Sequence, residues 1–485
     1  MPRLGGAKAK TECVAFKIRR VKCDEACPAC TRRIDTGRKC DGCATSRAGA
    51  YMYSCGQLLR PRPPPTQPAP DAELRGVAFY RRNVAPRLAG PLDSYFWTHL
   101  VPQVSYHEPA AKYAALAISS LYEELNKDGS IRPGERNTFA IAQYNEAVRH
   151  LVTAKSHETV LFVCILFLCI EMLRGDLQNA VDHCRHGIII LNGIKCRSNF
   201  IKDHLESAFY RIGVFPLFFG VSPHDFPVVN ISFTVPTPPF RSLLDAQTAL
   251  ESLMSRSIRL TRLADGYRLG DETCPGLDAA KTQEREDIET SLEAWLVEFQ
   301  AFRKRKTVRK YSLDAMRDSV AERLFEAKCL ASQILVATCF VREESVYDSH
   351  LDKFRGIVEL AEQAEAVLRQ TWKNYPRAKF TFEVGFTPPL AITVIKCRSL
   401  EVRAAATRLV RAVCHEKENM WERSTVLAFV GQVAKFEHGL QFGLDEYATG
   451  VTDNGTLPPE ERRIRDSRLD HNSPLMTAKY GAATV

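Results

Sequence analysis

Residues 13–43 read CVAFKIRRVKCDEACPACTRRIDTGRKCDGC and hold the side chains best suited to chemistry. Two Cys-x-x-Cys pairs stand out, Cys27/Cys30 and Cys40/Cys43, with Cys13 and Cys23 upstream. A two-residue gap lets two thiolates turn onto one tetrahedral ion, and zinc is the usual choice. Seven of the sixteen cysteines lie in the first 55 residues. The opening MPRLGGAKAK has no apolar core, so no secretory signal and a reducing compartment are expected, where a dense cysteine cluster binds metal rather than forming disulfides. Between Cys13 and Cys23 stand Lys17, Arg19, Arg20 and Lys22. On a helix these cations fan over more than one face, so some can meet phosphates while others reach base edges.

The surrounding chain explains how such a cluster is positioned. Thirteen basic and five acidic side chains fall in residues 1–60, so +8 of the net +9 sits in about one-eighth of the 485 residues. Such asymmetry marks a module for a polyanion. A unit this small has too little core to fold alone, and a structural metal is a common remedy. Residues 61–70, PRPPPTQPAP, carry six prolines and predict an extended, semi-rigid spacer about 31 Å long if fully polyproline-II. Four segments are therefore expected: a zinc-stabilised module at 1–60, a Pro-rich linker at 61–75, a large all-α domain at 76–451 and a polar, disordered tail at 452–485.

Helical spacing of apolar residues recurs in the third segment, at 111–125, 139–154, 159–173, 177–191, 243–267, 288–302, 313–340, 354–372 and 399–413. Breakers such as Pro133 with Gly134, the run 236–239, Pro275 with Gly276, and Pro388 with Pro389 are expected in loops. The longest apolar run, 160–170, would reach only about 16 Å as a helix against a bilayer core of roughly 30 Å, so it is expected as a buried core helix and no membrane partner is expected. The remaining nine cysteines, such as Cys164 and Cys169, lie in apolar stretches and are expected as small core hydrophobes.

Residues 13–43 resemble the fungal binuclear zinc cluster, the six-cysteine DNA-binding domain of fungal transcription factors. The family pattern is Cys-x2-Cys-x6-Cys-x6-Cys-x2-Cys-x6-Cys, and the runs RRVKCDE and GRKCDG match it closely. In that register Cys13, Cys23, Cys30 and Cys40 match the first, third, fourth and sixth ligands, and Pro28 matches the loop proline. Phe16 stands at the second ligand position and Arg33 at the fifth. The resemblance implies two zinc ions bridged by the first and fourth cysteines, here Cys13 and Cys30. It also implies that Arg19 and Arg20 meet base edges of a CGG triplet, with Lys17 and Lys22 on the DNA backbone. Residues 81–110, 168–192, 382–390 (FEVGFTPPL), 396–406 (KCRSLEVRAAA) and 420–424 (MWERS) resemble the family's regulatory region, which restrains or relays activation and often dimerises.

Three metal arrangements stay open. One is a rewired binuclear cluster using Cys13, Cys23, Cys27, Cys30, Cys40 and Cys43. Another is a single zinc on Cys27, Cys30, Cys40 and Cys43. The third is a degenerate cluster that binds metal poorly. A shifted register, with Cys27 and Cys30 as fourth and fifth ligands, leaves only Phe16 unmatched. The resemblance implies a nuclear, sequence-specific regulator of transcription by RNA polymerase II, whose partners are double-stranded DNA, a second copy of the chain and the transcription machinery. The competing reading is a regulator that has lost DNA binding and acts through its helical domain.

Two further patterns carry weaker chemistry. His183 and His186 have the i, i+3 spacing of a metal pair, but no third ligand stands nearby, so packed or solvated side chains are expected. The run from Arg303 to Lys306, followed by Arg309 and Lys310, suits either a nuclear import signal or a solvated helix end. No Gly-rich phosphate loop, Gly-x-Ser-x-Gly elbow or His-Glu-x-x-His pair is present, so no enzyme is expected.

Overall fold

A computed structural model describes residues 71–92, 94–128, 137–232, 234–270, 277–305, 313–438, 457–468, 477–480 and 483–484. They are overwhelmingly helical, as the apolar spacing predicts. The first helix, α1 (Asp71–Phe79), begins immediately after the Pro-rich run, with Asp71 and Glu73 in its first turn, where carboxylates complement the helix dipole. It thus starts inside the stretch expected to be linker. A π-helical turn at Tyr80–Val84 carries it into α2 (Ala85–Leu88). A second π turn, Phe96–Leu100, leads into α3 (Val101–His107).

The N-terminal group comprises α4 (Pro109–Asp128), α5 (Thr138–Val152), α6 (His157–Arg174) and α7 (Leu177–Gly193). The expected core helix is α6, buried on every face from Leu161 to Leu173. It ends where Gly175 takes φ 75° and donates to the Glu171 and Met172 carbonyls, a left-handed cap that glycine adopts without a Cβ penalty. Next come α8 (Glu206–Ile212) and α9 (Phe215–Phe218). Gly187 of α7 lets the Phe209 ring of α8 approach so closely that a Cβ there would collide with it.

The C-terminal group packs around a second core. It contains α10 (Leu243–Leu263), α11 (Asp265–Arg268), α12 (Ala279–Arg305), α13 (Leu313–Thr338), α14 (Leu351–Asn374), α15 (Thr387–Lys396), α16 (Leu400–Val413) and α17 (Arg423–His438). Trp295 stacks on Phe299 at its centre and Phe325 lies tilted against Phe299, and Trp295 Nε1 donates to the Ala246 carbonyl at 2.9 Å, satisfying its one polar atom. Pro388 and Pro389 correct the sequence expectation. They open α15 rather than a loop, because the first turn of a helix needs no N–H from them.

Strands are few. β1 (Phe380–Thr381) pairs in parallel with β2 (Lys417–Glu418), which turns back antiparallel on β3 (Trp421–Glu422). Asn419 makes that turn at φ 58°, a left-handed conformation that asparagine tolerates. The buried Glu418 carboxylate accepts from the backbone of Gly385, Thr387 and His415, fixing the entry to α15. Three further strands, β4 (Ile464–Arg468), β5 (Thr477–Tyr480) and β6 (Ala483–Thr484), form an antiparallel sheet.

The described part of the tail departs from the expected disorder. Glu460 accepts from the backbone N–H groups of Glu344 and Ser345 at 2.7 and 2.9 Å, capping the 3-10 turn Glu344–His350. Arg463 pairs with Asp348 at 2.8 Å, and Ile464 is buried. Polar composition suggested disorder, but these charges have fixed partners in the helical domain.

Eight cysteines are described, all unpaired. Seven are buried as expected, and Cys196 is exposed. No described helix is long and apolar enough to cross a membrane.

Candidate functional site

All the residues singled out for metal or DNA, namely Cys13, Cys23, Cys27, Cys30, Cys40, Cys43, Lys17, Arg19, Arg20 and Lys22, lie outside the described residues, as do the Pro-rich run and Lys306, Arg309 and Lys310. Among the described residues no group of three His, Cys, Asp or Glu side chains could hold a metal ion. His183 accordingly plays a packing role. Its Nε2 lies 3.1 Å from the Tyr144 hydroxyl and its ring meets Phe167 edge-on. Burial, aided by His186, pushes its pKa below the ordinary histidine value, which keeps the imidazole neutral. The cationic end of α12 is partly engaged, Arg303 with Glu322 and Glu326, and Arg305 with Glu298 at 2.5 Å.

The feature of the helical domain best able to take a ligand is a cavity of about 260 Å³. Its apolar walls come from five elements: Phe215 and Phe218 of α9, Met254 and Ile258 of α10, Leu335 of α13, Ile392 and Ile395 of α15, and Trp421 of β3. The runs at 382–390, 396–406 and 420–424 converge here. Phe382, Glu383, Pro388, Lys396 and Trp421 all line it. The β2–β3 turn at Asn419 brings Trp421 to the wall, and the capping of α15 by Glu418 holds the 383–389 segment against it.

Charged groups gather at two ends of this apolar space. Glu251 and Arg262 of α10 both line it, and eleven residues of helix separate them by about 16 Å. At the Arg262 end, every cation is matched. Lys396 Nζ lies 2.8 Å from Glu344 Oε2 and donates to the carbonyls of Ile464 and Arg465 at 3.0 Å. Arg268 pairs with Asp265 and Glu344 at 3.1 and 3.3 Å, and Arg262 pairs with Asp265 at 3.0 Å. Behind this layer Arg398 spans Glu344 and Glu437 at 3.0 and 3.1 Å, and Arg403 reaches Glu437 at 2.6 Å. Burial pushes the Lys396 ammonium down to about 8, against the pull of Glu344. Burial alone would raise the Glu437 carboxyl, but Arg403 and Arg398 bring it below the usual range.

The Glu251 end is less complete. Arg211 pairs with Glu383 at 3.2 Å. Gln247 donates to Glu251 at 2.6 Å. Burial lifts the Glu251 carboxyl to about 7, opposed by Arg211 and the Gln247 hydrogen bond. Lys328 of α13 donates to the Val384 carbonyl at 3.0 Å. Among the described residues it has no carboxylate within the 4.0 Å of an ion pair. Burial pushes its pKa down, partly offset by Glu251, Glu383 and Glu418. The sequence reading missed both ends. The available signal was a lysine and a glutamate set among core positions of α13 and α10, as in LFEAKCLAS.

Comparison with known proteins gives a consistent family of names. The chain is 25% identical over 416 residues to the aspercryptin biosynthesis cluster-specific transcription regulator atnN of Emericella nidulans, covering 73% of this chain and 64% of that protein. It is 29% identical over 209 residues to the transcription regulator lscL of Purpureocillium lilacinum, covering 38% of this chain and 49% of the relative. It is 28% identical over 175 residues to the Zn(2)-C6 fungal-type transcription factor afumD of Aspergillus fumigatus, covering 34% and 47%. The chain thus matches less than two-thirds of the length of each of these relatives. No family model matches, and no solved structure matches. The relatives are transcription regulators rather than enzymes.

Proposed function

We propose that this protein is a nuclear, zinc-dependent, sequence-specific DNA-binding regulator of transcription. The observation that carries the reading is the similarity to a named fungal transcription regulator across 73% of the chain. The basic, cysteine-rich segment supports it, because a cluster of that composition is the kind of module that reads DNA. In this reading Cys13, Cys23, Cys27, Cys30, Cys40 and Cys43 hold zinc, two ions by family pattern. The metal supplies the folding free energy that so small a module lacks. The segment with Lys17, Arg19, Arg20 and Lys22 then enters the major groove. Arg20, with Arg19 beside it, reads guanine, because the guanidinium fork pairs with O6 and N7, while Lys17 and Lys22 neutralise phosphates. The proline run spaces two such modules in a homodimer whose contacts lie in the helical domain, and that domain passes signals to the transcription machinery.

A second reading is favoured by Phe16 and Arg33, which stand at two zinc-ligand positions. In it the cluster no longer reads DNA, and the helical domain acts through protein or ligand contacts. Titration of the full chain into CGG-containing and scrambled duplexes, with and without a chelator, decides between them. The first reading expects a CGG preference that disappears on chelation and returns with zinc. Equal binding to both duplexes, unchanged by chelator, overturns it.

A further inference from the structure

We propose that the cavity of the helical domain binds a small amphipathic carboxylate, its head group on Lys328 and its apolar body along Met254, Ile258, Leu335 and Trp421. The inference does not rest on the DNA-binding reading.

The argument begins from the inequality of the two charged ends. At the Arg262 end the lysine ammonium already has two carboxylate oxygens and two backbone carbonyls around it. Nothing there asks for a further anion. At the other end Lys328 has a single carbonyl acceptor, that of Val384, for a group with three donors. It lines the cavity and keeps part of its surface accessible, although protein surrounds its ammonium. An enclosed ammonium without its own carboxylate is costly, and an anionic ligand removes that cost by a charge-assisted hydrogen bond.

The neighbouring charges set the kind of anion. Glu251 and Glu383 also line this end. A phosphate with two charges would meet both, whereas a carboxylate carries one charge and suits one ammonium. The apolar middle between the two charged ends sets the body. Its length along α10 suits an aliphatic chain or a fused ring rather than a sugar or nucleotide, which would bring hydroxyls to walls of Met254, Ile258, Leu335 and Ile392 that cannot satisfy them. The volume is near the lower end of small-molecule sites, roughly 300–1,000 Å³.

The test titrates the full chain with decanoate, 1-decanol and decylamine, each below its micellar concentration, by calorimetry and by intrinsic tryptophan fluorescence, to which the cavity-lining Trp421 contributes. Decanoate is expected to bind at least about tenfold more tightly than decanol, as a charge-assisted hydrogen bond provides, and decylamine weakest of all. K328Q, which keeps a donor for Val384, is expected to bring decanoate down to the decanol affinity and leave decanol unchanged. L335W, which fills the cavity, is expected to abolish binding of both. The comparison of head groups on the unaltered chain stands even where a variant fails to fold. Equal affinity for decanoate and decanol, preference for decylamine, binding of none of the three, or decanoate binding that survives both substitutions would overturn the proposal.

Discussion

The Lys396 ammonium and the Glu344 carboxylate meet at 2.8 Å beneath the cavity, and both are buried. Glu344 also accepts from Arg398 and Arg268, so three cations share this one carboxylate, two of them with help from Glu437 and Asp265. Removing its charge would leave those cations buried with too little compensation. E344Q should therefore lower stability by about 3–5 kcal/mol, read as the urea midpoint of the full chain. A change within a few tenths of a kcal/mol would mean that water or the C-terminal segment screens the cluster.

The C-terminal segment takes part in the same network. Ile464 donates its N–H to Glu437 at 3.0 Å, and its carbonyl accepts from Lys396 at 3.0 Å. Ending the chain at residue 456 removes these partners and opens Lys396 and Arg268 to solvent. The truncated protein should unfold several degrees below the full chain in a thermal scan. An unchanged midpoint would show that 457–465 adds nothing to the helical domain.

Glu251 gives a pH signature. Burial raises its folded pKa to about 7 from the ordinary carboxylate value of 4.5. Its contribution to stability is present in full below the unfolded value and is lost as pH rises through the folded one. Between about pH 4.5 and 7 the unaltered protein should thus lose stability relative to E251Q, on the order of 1–3 kcal/mol in all. The measurement is the difference in urea midpoints of the two proteins at pH 5 and pH 8. A difference that stays constant across that window would mean that Glu251 is ionised throughout.

For the proposed reading of DNA, Arg20→Ala should lose about 1–3 kcal/mol of discrimination at one guanine, while Lys22→Ala should weaken all duplexes alike. Fluorescence anisotropy with a CGG duplex and single-base variants distinguishes the two effects. Equal losses on specific and random duplex for Arg20→Ala would remove it from base readout.

The long helices were legible in the sequence because their apolar spacing is local. The run at 160–170 reads as a helix buried all round, and α6 is one. The cavity and its charged ends were not legible, since their meaning comes from partners far along the chain. Lys396, Arg398 and Arg403 look like an ordinary solvated face in KCRSLEVRAAA. They are buried only because Glu344, Glu437 and the segment after Pro458 come to meet them. Pro388 and Pro389 misled in the same way. Proline marks a loop and a first helical turn equally well, and Glu418, more than thirty residues away, holds that turn in place. For the zinc and DNA residues the spacing of cysteines and cations remains the basis of the reading, together with the relatives' names.

Metal content of the purified full chain is the most direct measurement of the central claim. The account predicts two zinc ions per chain, retained through gel filtration and reduced by Cys30→Ser, because Cys30 is a bridging ligand in the proposed cluster. Protein prepared without chelator that carries no zinc, and has the same content after that substitution, would contradict it.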